Sequence, residues 1–120
     1  MQTTVEIGNS GEEIALNYLK SEGYKIVATN WRYKKYEIDI IVIDKRELCF
    51  IEVKYRKNNA FGEPHEAVHE NKQQQIINGA SEFIKQNDYD IEARFDIISI
   101  TKNGNQNKLE HIKNAFTPEW

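Results

Sequence analysis

The stretch that most restricts the fold of this chain is residues 37–54, EIDIIVIDKRELCFIEVK. Two runs rich in Ile, Val, Leu and Phe flank a short polar turn, a pattern that predicts an antiparallel β-hairpin. Asp39, Glu52 and Lys54 lie inside the apolar runs, where burying a charge costs several kcal/mol unless it is compensated. A sheet that contains two carboxylates and an ammonium group in its apolar strands therefore needs a specific explanation.

The register of the hairpin supplies a first explanation. If the turn is centred on residues 45–46, Asp39 lies opposite Glu52 and Glu37 lies opposite Lys54. Like charges directly opposite each other are destabilising, and alternation puts Glu52 and Lys54 on one face. A bound divalent cation would remove the repulsion, and carboxylates with water are the ligands that Mg²⁺ prefers. The alternative is a solvated face on which Lys54 pairs with Glu37 and Asp39, which leaves Glu52 without a partner of its own.

The remaining periodicity predicts the element order αβββαββ. A first helix is expected between Thr3 and Gly23, and Thr3 with Glu6 resembles a capping box. Glu12 is the unusual residue of this helix, because it falls inside the apolar arc. The other predicted elements are strands at about 24–30, 36–44 and 47–56, a helix capped by Asn71 with Gln74 and continuing to Asn87, and strands at 93–100 and 108–112.

Length and composition restrict the class of protein. The chain of 120 residues is expected to form one domain, residues 1–120, with a core of its own. Its single cysteine, Cys49, excludes a disulfide framework and a cysteine-based zinc site, and is expected to be a small buried core residue. No apolar stretch approaches the roughly 18 residues of a membrane span, and the N-terminus lacks the pattern of a signal peptide. We therefore expect a cytoplasmic protein with no membrane association.

The distribution of charge along the chain indicates a nucleic-acid partner more strongly than the net charge does. A net charge of −3 argues against a general nucleic-acid binder, but residues 25–57 hold nine Lys and Arg against five Asp and Glu. Aromatic residues are interleaved with the basic ones, and a solvated sheet edge is the alternative interpretation. Lys72 stands at a predicted helix start, unfavourable against the dipole, which indicates an anionic partner. The candidate nucleic-acid-binding residues are Arg32, Lys34, Lys35, Tyr36, Arg56 and Lys72.

A competing motif occupies residues 65–69, HEAVH, which satisfies the H-E-x-x-H zinc-peptidase pattern. Such a motif needs a buried helix and a third ligand, whereas this setting is polar and His111 is the only other histidine. A helix-start turn with two surface histidines, His65 and His69, is the favoured interpretation. In the strand that follows, Arg94 and Asp96 alternate to one face and are expected to pair.

A family resemblance rests on these residues in order. Asp39 followed by Glu52-Val53-Lys54 resembles the PD-(D/E)xK nuclease signature, and Glu12 matches the helix-one acid of Holliday-junction-resolvase-like members. The chain is more similar still to the YraN family of uncharacterised bacterial proteins, over nearly its whole length. The segments that carry the resemblance are GEEIALNYLKSEGYKI, Asn30, EID at 37–39, FIEVKYR, FG at 61–62, AV at 67–68, Lys72, RFD at 94–96 and EHIKNAF at 110–116.

The resemblance implies an α/β fold with a restriction-endonuclease-like αβββαβ core, in which helices flank a central mixed sheet. It also implies a Mg²⁺- or Mn²⁺-dependent nuclease whose partner is DNA, with branched or damaged DNA as candidate substrates. Asp39 and Glu52 would hold the metal with the backbone carbonyl of Val53, Glu12 would complete the site directly or through water, and Lys54 would orient the attacking water. The resemblance leaves monomer and homodimer open.

One departure from the family favours a second hypothesis. Where the family usually has Gly-Glu-Ile-Asp, this chain has Tyr36 before Glu37. A bulky side chain there would either block close approach of a DNA backbone or stack on a base. Together with the net acidity, it favours the alternative of a catalytically inactive nucleic-acid-binding module with the same fold.

Overall fold

Within its described residues, the chain forms two helices and five strands. The computed structural model describes residues 4–56 and 69–118, with side chains from residue 11 onward. The elements are α1 (Thr4–Ser21), β1 (Lys25–Tyr33), β2 (Tyr36–Asp44), β3 (Glu47–Arg56), α2 (Glu70–Asn87), β4 (Glu92–Asn103) and β5 (Gln106–Phe116). This order confirms the predicted αβββαββ succession.

The strands form one mixed sheet in the order β1-β2-β3-β4-β5. Neighbouring strands are antiparallel except β3 and β4, which are parallel and are separated in the chain by α2. A parallel pair needs a crossover, and a helix is its usual form. The chain therefore has the predicted α/β fold, a restriction-endonuclease-like core of helices around a mixed sheet.

Each face of the sheet has its own apolar core. On β3, Leu48 and Phe50 belong to the cluster that also contains the buried residues of α2. Cys49 and Ile51 alternate to the other cluster, which contains Ala15 and other residues of α1. Cys49 is fully buried, as predicted. In the part of the chain that the structure describes, no helix has the length and apolar character needed to cross a membrane.

The β2–β3 hairpin has the predicted register. Its pairs run from Asp44↔Glu47 at the turn to Ile40↔Ile51, and Lys45 adopts the left-handed conformation (φ 58°) that the turn requires. The regular pairing ends at Ile40↔Ile51, so the predicted pairs Asp39–Glu52 and Glu37–Lys54 are not part of the ladder, and Glu37 pairs with Arg32 instead.

Some boundaries differ from the sequence-based expectation. Helix α2 begins at Glu70 with His69 at its N-cap, so the predicted cap by Asn71 and Gln74 is wrong; among the described residues no side chain caps this end, and Gln74 bonds to Asn78 instead. β1 and β5 are longer than predicted because ladder pairing extends over polar residues that apolar periodicity does not detect. The proposed Thr3–Glu6 cap and most of residues 57–69 lie outside the described side chains.

A buried polar network closes the α1 side of the sheet. Arg94 donates to Asp96 (Nη2–Oδ2, 2.9 Å) and to Asp44 (Nη1–Oδ2, 2.9 Å), which confirms the predicted Arg94–Asp96 pair. His111 Nε2 lies 2.7 Å from Asp96 Oδ2, and the Tyr18 hydroxyl lies 2.8 Å from His111 Nδ1. The network joins α1, the β2–β3 turn, β4 and β5 through buried and partly buried hydrogen bonds.

Candidate functional site

Asp39 lies where β2 and β3 part. The last regular pair between these strands is Ile40↔Ile51. Immediately beyond it, the backbone N–H of Val53 donates to Asp39 Oδ2 at 2.8 Å. The carboxylate thus takes the place that a strand carbonyl would have in a continued ladder, and this bond fixes the side chain at the point of separation.

β2 also changes the face it presents at this point. Ile38 and Ile41 both pack in the α2-side core, whereas Ile40 packs in the α1-side core. Strict alternation would place Ile38 on the same side as Ile40. The backbone therefore turns over in the short stretch around Asp39, which explains how this carboxylate can influence residues on both sides of the sheet.

Glu52 is the most deeply buried acid of the candidate site, with 6% of its surface exposed. Burial, and after it repulsion from Asp39, raises the pKa of Glu52 to about 7, although Lys72 and Lys54 act in the opposite direction. Lys54 Nζ lies 3.7 Å from Glu52 Oε1 on the same face of β3. The structure thus brings Asp39, Glu52 and Lys54 into one cluster, and Lys72 of α2 acts on it electrostatically.

Glu12 approaches the cluster from α1. Burial, followed by repulsion from Asp39, raises the pKa of Glu12, and a hydrogen bond from the Asn30 side chain partly offsets the rise. Glu12 Oε1 is shielded from solvent and has no hydrogen-bond partner among the residues that the structure describes. A buried carboxylate oxygen without a partner is costly, and a cation or a bound water would remove that cost.

A close contact between α1 and β3 lies next to Glu12, and apolar periodicity does not predict it. A methyl group added to Gly11 would lie 2.7 Å from Tyr55 Cδ2 and 2.9 Å from Tyr55 Cβ. Only glycine lets α1 approach β3 this closely, and the approach sets the position of the Glu12 backbone. The signal available in the sequence was a glycine inside a predicted helix, where it is normally unfavourable.

The fit of these residues to a divalent cation can be judged from the donor set. Within residues 4–56 and 69–118, no three side chains of His, Cys, Asp or Glu already form a metal-ligand group. Mg²⁺ commonly uses one or two carboxylates and keeps several waters, so it does not need such a group. The Asp39–Glu52 pair, with the unpartnered oxygen of Glu12 nearby, fits that mode of binding. The carbonyl of Val53 stays a prediction.

Four of the predicted nucleic-acid-binding residues cluster at the β1–β2 turn. Lys34 Nζ lies 5.3 Å from the ring centre of Tyr33, and Lys35 Nζ lies 5.8 Å from that of Tyr36. Arg32 is exposed and forms an ion pair with Glu37, so its charge is largely compensated. The turn presents cations beside aromatic rings, as single-stranded nucleic-acid surfaces do.

Tyr36 packs towards α2. Its Cβ would lie 3.1 Å from a Cβ added to Gly79, so the helix glycine makes room for the tyrosine. Arg56 extends from the end of β3 on the same face as Lys54. Its Nε and Nη2 are shielded from solvent, and neither has a hydrogen-bond partner within the described chain. Unpaired guanidinium donors of this kind suit an anionic ligand.

The zinc-peptidase pattern gains no third ligand from the structure. His111 bonds to Asp96 and to Tyr18, so both of its ring nitrogens are already engaged. His69 is the exposed N-cap residue of α2. Residues 65–68 of the pattern lie outside the described residues.

Comparison with known proteins assigns the chain to a family. The model of the uncharacterised protein family UPF0102 matches residues 11–100. A UPF0102 protein of Geobacter metallireducens is 43% identical over 92% of this chain and 91% of its own length. UPF0102 proteins of Christiangramia forsetii and Bacteroides thetaiotaomicron are 40% and 38% identical, over 92% and 94% of this chain and 93% of each relative. The chain therefore belongs to the uncharacterised protein family UPF0102, the YraN family whose motifs its sequence carries.

Proposed function

We propose that this protein is a metal-dependent endonuclease-like protein that acts on phosphodiesters in DNA. The observation that carries the proposal is the interaction of Asp39 with buried Glu52 at the point where β2 and β3 separate, with Lys54 Nζ 3.7 Å from Glu52. Structural ion pairs seldom place two carboxylates against each other, because two like charges repel. A site that is incomplete without a cation accounts for the arrangement.

The residues around the carboxylate pair have separate roles in this proposal. Asp39 and Glu52 would hold Mg²⁺ or Mn²⁺, with the Val53 carbonyl and Glu12 as further ligands, Glu12 directly or through water. When bound, the cation would polarise the scissile phosphate and acidify a water molecule. Lys54, released from Glu52, would orient that water or stabilise the charge that develops on the phosphate. The Val53 N–H keeps Asp39 oriented throughout.

DNA would reach the site between two sources of positive charge. Lys34 and Lys35 lie beside aromatic rings at the β1–β2 turn, and this turn leads directly into the strand that carries Asp39. Arg56 and Lys72 lie on the α2 side of the carboxylates. Contacts of this kind bind the phosphate backbone and make affinity fall steeply with salt. The half-buried rings of Tyr33 and Tyr36 at this turn favour substrates with unstacked bases, such as branched or damaged DNA.

A second candidate function is a DNA-binding module of the same fold without catalysis. The Lys54–Glu52 ion pair supports it, because a carboxylate held by a lysine is less available to a cation.

Cleavage assays with matched variants separate the two functions. Duplex, single-stranded, flapped and four-way-junction DNA should be incubated with wild type, Asp39→Asn, Lys54→Ala and the exposed-lysine control Lys85→Ala in Mg²⁺ or Mn²⁺. The proposal expects cleavage by wild type and Lys85→Ala only, with binding retained in all four, because Asp39 and Lys54 act mainly in the transition state. Binding without metal-dependent cleavage by wild type would establish the binding module. Absence of binding at low salt would refute both functions.

A further inference from the structure

Asn30 adopts an unusual backbone conformation in the middle of β1. Its φ is 49°, in the left-handed region that strands avoid. Such a conformation is unfavourable in a residue other than glycine, and asparagine is among the residues that tolerate it best. The surrounding structure must therefore hold Asn30 in this conformation. The groups that lie next to Asn30 show what the conformation positions.

The left-handed residue inverts the alternation of β1. Ala28 and Trp31 both pack against the α2-side core, although residues three apart in a regular strand point to opposite faces. The pairs Thr29↔Ile40 and Trp31↔Ile38 flank Asn30 in the register. Asn30 is therefore directly across from Asp39.

β2 turns over at that same place. Its residues Ile38 and Ile41 share the α2-side core, as Ala28 and Trp31 do on β1. The two strands thus change face together at the Asn30–Asp39 position. A change of face in one strand alone would break the register, whereas a matched change preserves the pairs on both sides of it.

Asn30 also reaches across to α1. Its side-chain amide lies close enough to the Glu12 carboxyl to lower the pKa of that acid, whose Oε1 is shielded and has no hydrogen-bond partner in the described part of the chain. The Glu12 carboxyl is close enough to Asp39 for the two to repel each other. The amide of Asn30 therefore lies near Glu12 of α1, and its backbone lies across from Asp39 of β2.

We infer that Asn30 is a positioning residue of the candidate site: its left-handed backbone and its amide together hold Glu12 beside Asp39, ready for a shared cation. The inference rests on the proposed function, because it assigns Asn30 a role in building that metal site. Asn30 acts through Glu12 and Asp39 and needs no contact with the metal itself. Partners of metal ligands that act in this way typically change metal affinity by about 10- to 100-fold when they are removed.

Asn30→Gly tests the amide separately from the backbone, since glycine accepts a positive φ without strain. Asn114→Gly is the matched control, because Asn114 is a left-handed asparagine (φ 53°) in β5 that bonds through its backbone N–H to Asp96 and is not part of the candidate site. Melting temperatures should be recorded across a Mn²⁺ titration. We expect the Mn²⁺ concentration for half of the stabilisation to rise about tenfold in Asn30→Gly and to stay unchanged in Asn114→Gly. Equal midpoints in wild type and Asn30→Gly would overturn the inference.

Asn30→Asp should change the Mn²⁺ response of the melting temperature in the opposite direction. A third carboxylate beside Glu12 and Asp39 should lower the melting temperature in a chelator and enlarge the gain on adding Mn²⁺. A purely structural role for Asn30 predicts a lower melting temperature with no change in the Mn²⁺ response.

A double-mutant cycle of Asn30→Gly with Glu12→Gln, measured in a chelator, tests the contact without reference to metal. Non-additive effects on stability would support the Asn30–Glu12 interaction, and additive effects would refute it. If wild type shows no Mn²⁺ response, the metal-dependent function fails, and the cycle still decides whether Asn30 positions Glu12.

Discussion

The Nε2 atom of His111 lies 2.7 Å from Oδ2 of Asp96, a carboxylate with no exposed surface. Asp96 also accepts hydrogen bonds from Arg94 and from the backbone N–H of Asn114. Burial raises the pKa of Asp96, but the hydrogen bonds from His111 and Arg94 outweigh it, so the pKa is lowered and the carboxylate stays charged. This pair therefore belongs to the framework of the fold, at a distance from the candidate cation site.

Asp96→Asn should destabilise the protein strongly. The change removes the negative charge that compensates Arg94 and places the asparagine NH2 group against groups that donate hydrogen bonds to Asp96. Breaking a buried pair in this way costs roughly 3–5 kcal/mol. The free energy of unfolding from urea denaturation provides the measurement. Asp90→Asn, at an exposed position, should stay within about 0.5 kcal/mol of wild type. A loss below about 1 kcal/mol in Asp96→Asn would show that the network contributes little net stability.

The metal-free protein should become less stable as the pH rises towards neutrality. Burial and then Asp39 raise the pKa of Glu52 from 4.5 to about 7, so between these values the native state holds a proton that the unfolded chain releases. Stability is therefore highest below the unfolded pKa and is lost as pH rises through the folded one. In a chelator, wild type should lose on the order of 2–3 kcal/mol between about pH 4.5 and pH 7.5.

Glu52→Gln is the control for this pH dependence. The amide cannot titrate, so its stability should change much less over the same range in urea denaturation series. Saturating Mg²⁺ should reduce the decline in wild type, because a cation favours the deprotonated carboxylate. An equally steep decline in Glu52→Gln would assign the effect to another group.

Gly11→Ala should displace α1 from β3. Alanine favours a helix by up to about 1 kcal/mol over glycine, but a methyl group 2.7 Å from Tyr55 Cδ2 forces the two elements apart, and overpacking costs about 1–3 kcal/mol. We expect a lower melting temperature and, because Glu12 moves with the helix, a weaker Mn²⁺ response. Gly11→Ala combined with Tyr55→Ala should be more stable than Tyr55→Ala alone. If Gly11→Ala is more stable than wild type on its own, the contact is not tight.

The thiol of Cys49 should be unreactive in the native protein. Burial is the main cause that raises the pKa of Cys49 to about 12, and the side chain has no exposed surface. Since the thiolate is the reactive form, an aromatic disulfide reagent at about pH 8 should label native protein at a small fraction of the rate for unfolded protein. Comparable rates in native buffer and in concentrated urea would contradict this.

The sequence allowed the hairpin and its acids to be predicted because the relevant signals are local. Alternation and a two-residue turn predict the register that ends at Ile40↔Ile51. The same register predicts that Asp39 lies near Glu52. Glu12 could be singled out because a charge in an apolar helical arc is visible in the sequence alone.

Other parts of the site depend on tertiary contacts that leave little trace in a periodic pattern. The left-handed conformation of Asn30 interrupts the alternation of β1, so an alternating pattern in the sequence cannot predict that conformation. The need for glycine at position 11 comes from Tyr55, a residue distant in the chain. The N-terminus of α2 differs from the predicted one because His69 makes no side-chain capping bond there, whereas Asn71 and Gln74 form a capping pattern two residues downstream.

The parallel pairing of β3 with β4 has a consequence for the order of folding. The β1–β2 and β2–β3 pairings close at Tyr33↔Tyr36 and Asp44↔Glu47, neighbours in the chain, whereas β3 pairs with β4 from Glu47↔Glu92 onward. Long-range closure is entropically slower than a hairpin. Asn30, Asp39 and Glu52 therefore meet in the sequence-local meander that can form first, and Lys72 is the residue of the proposed site that arrives with the late crossover.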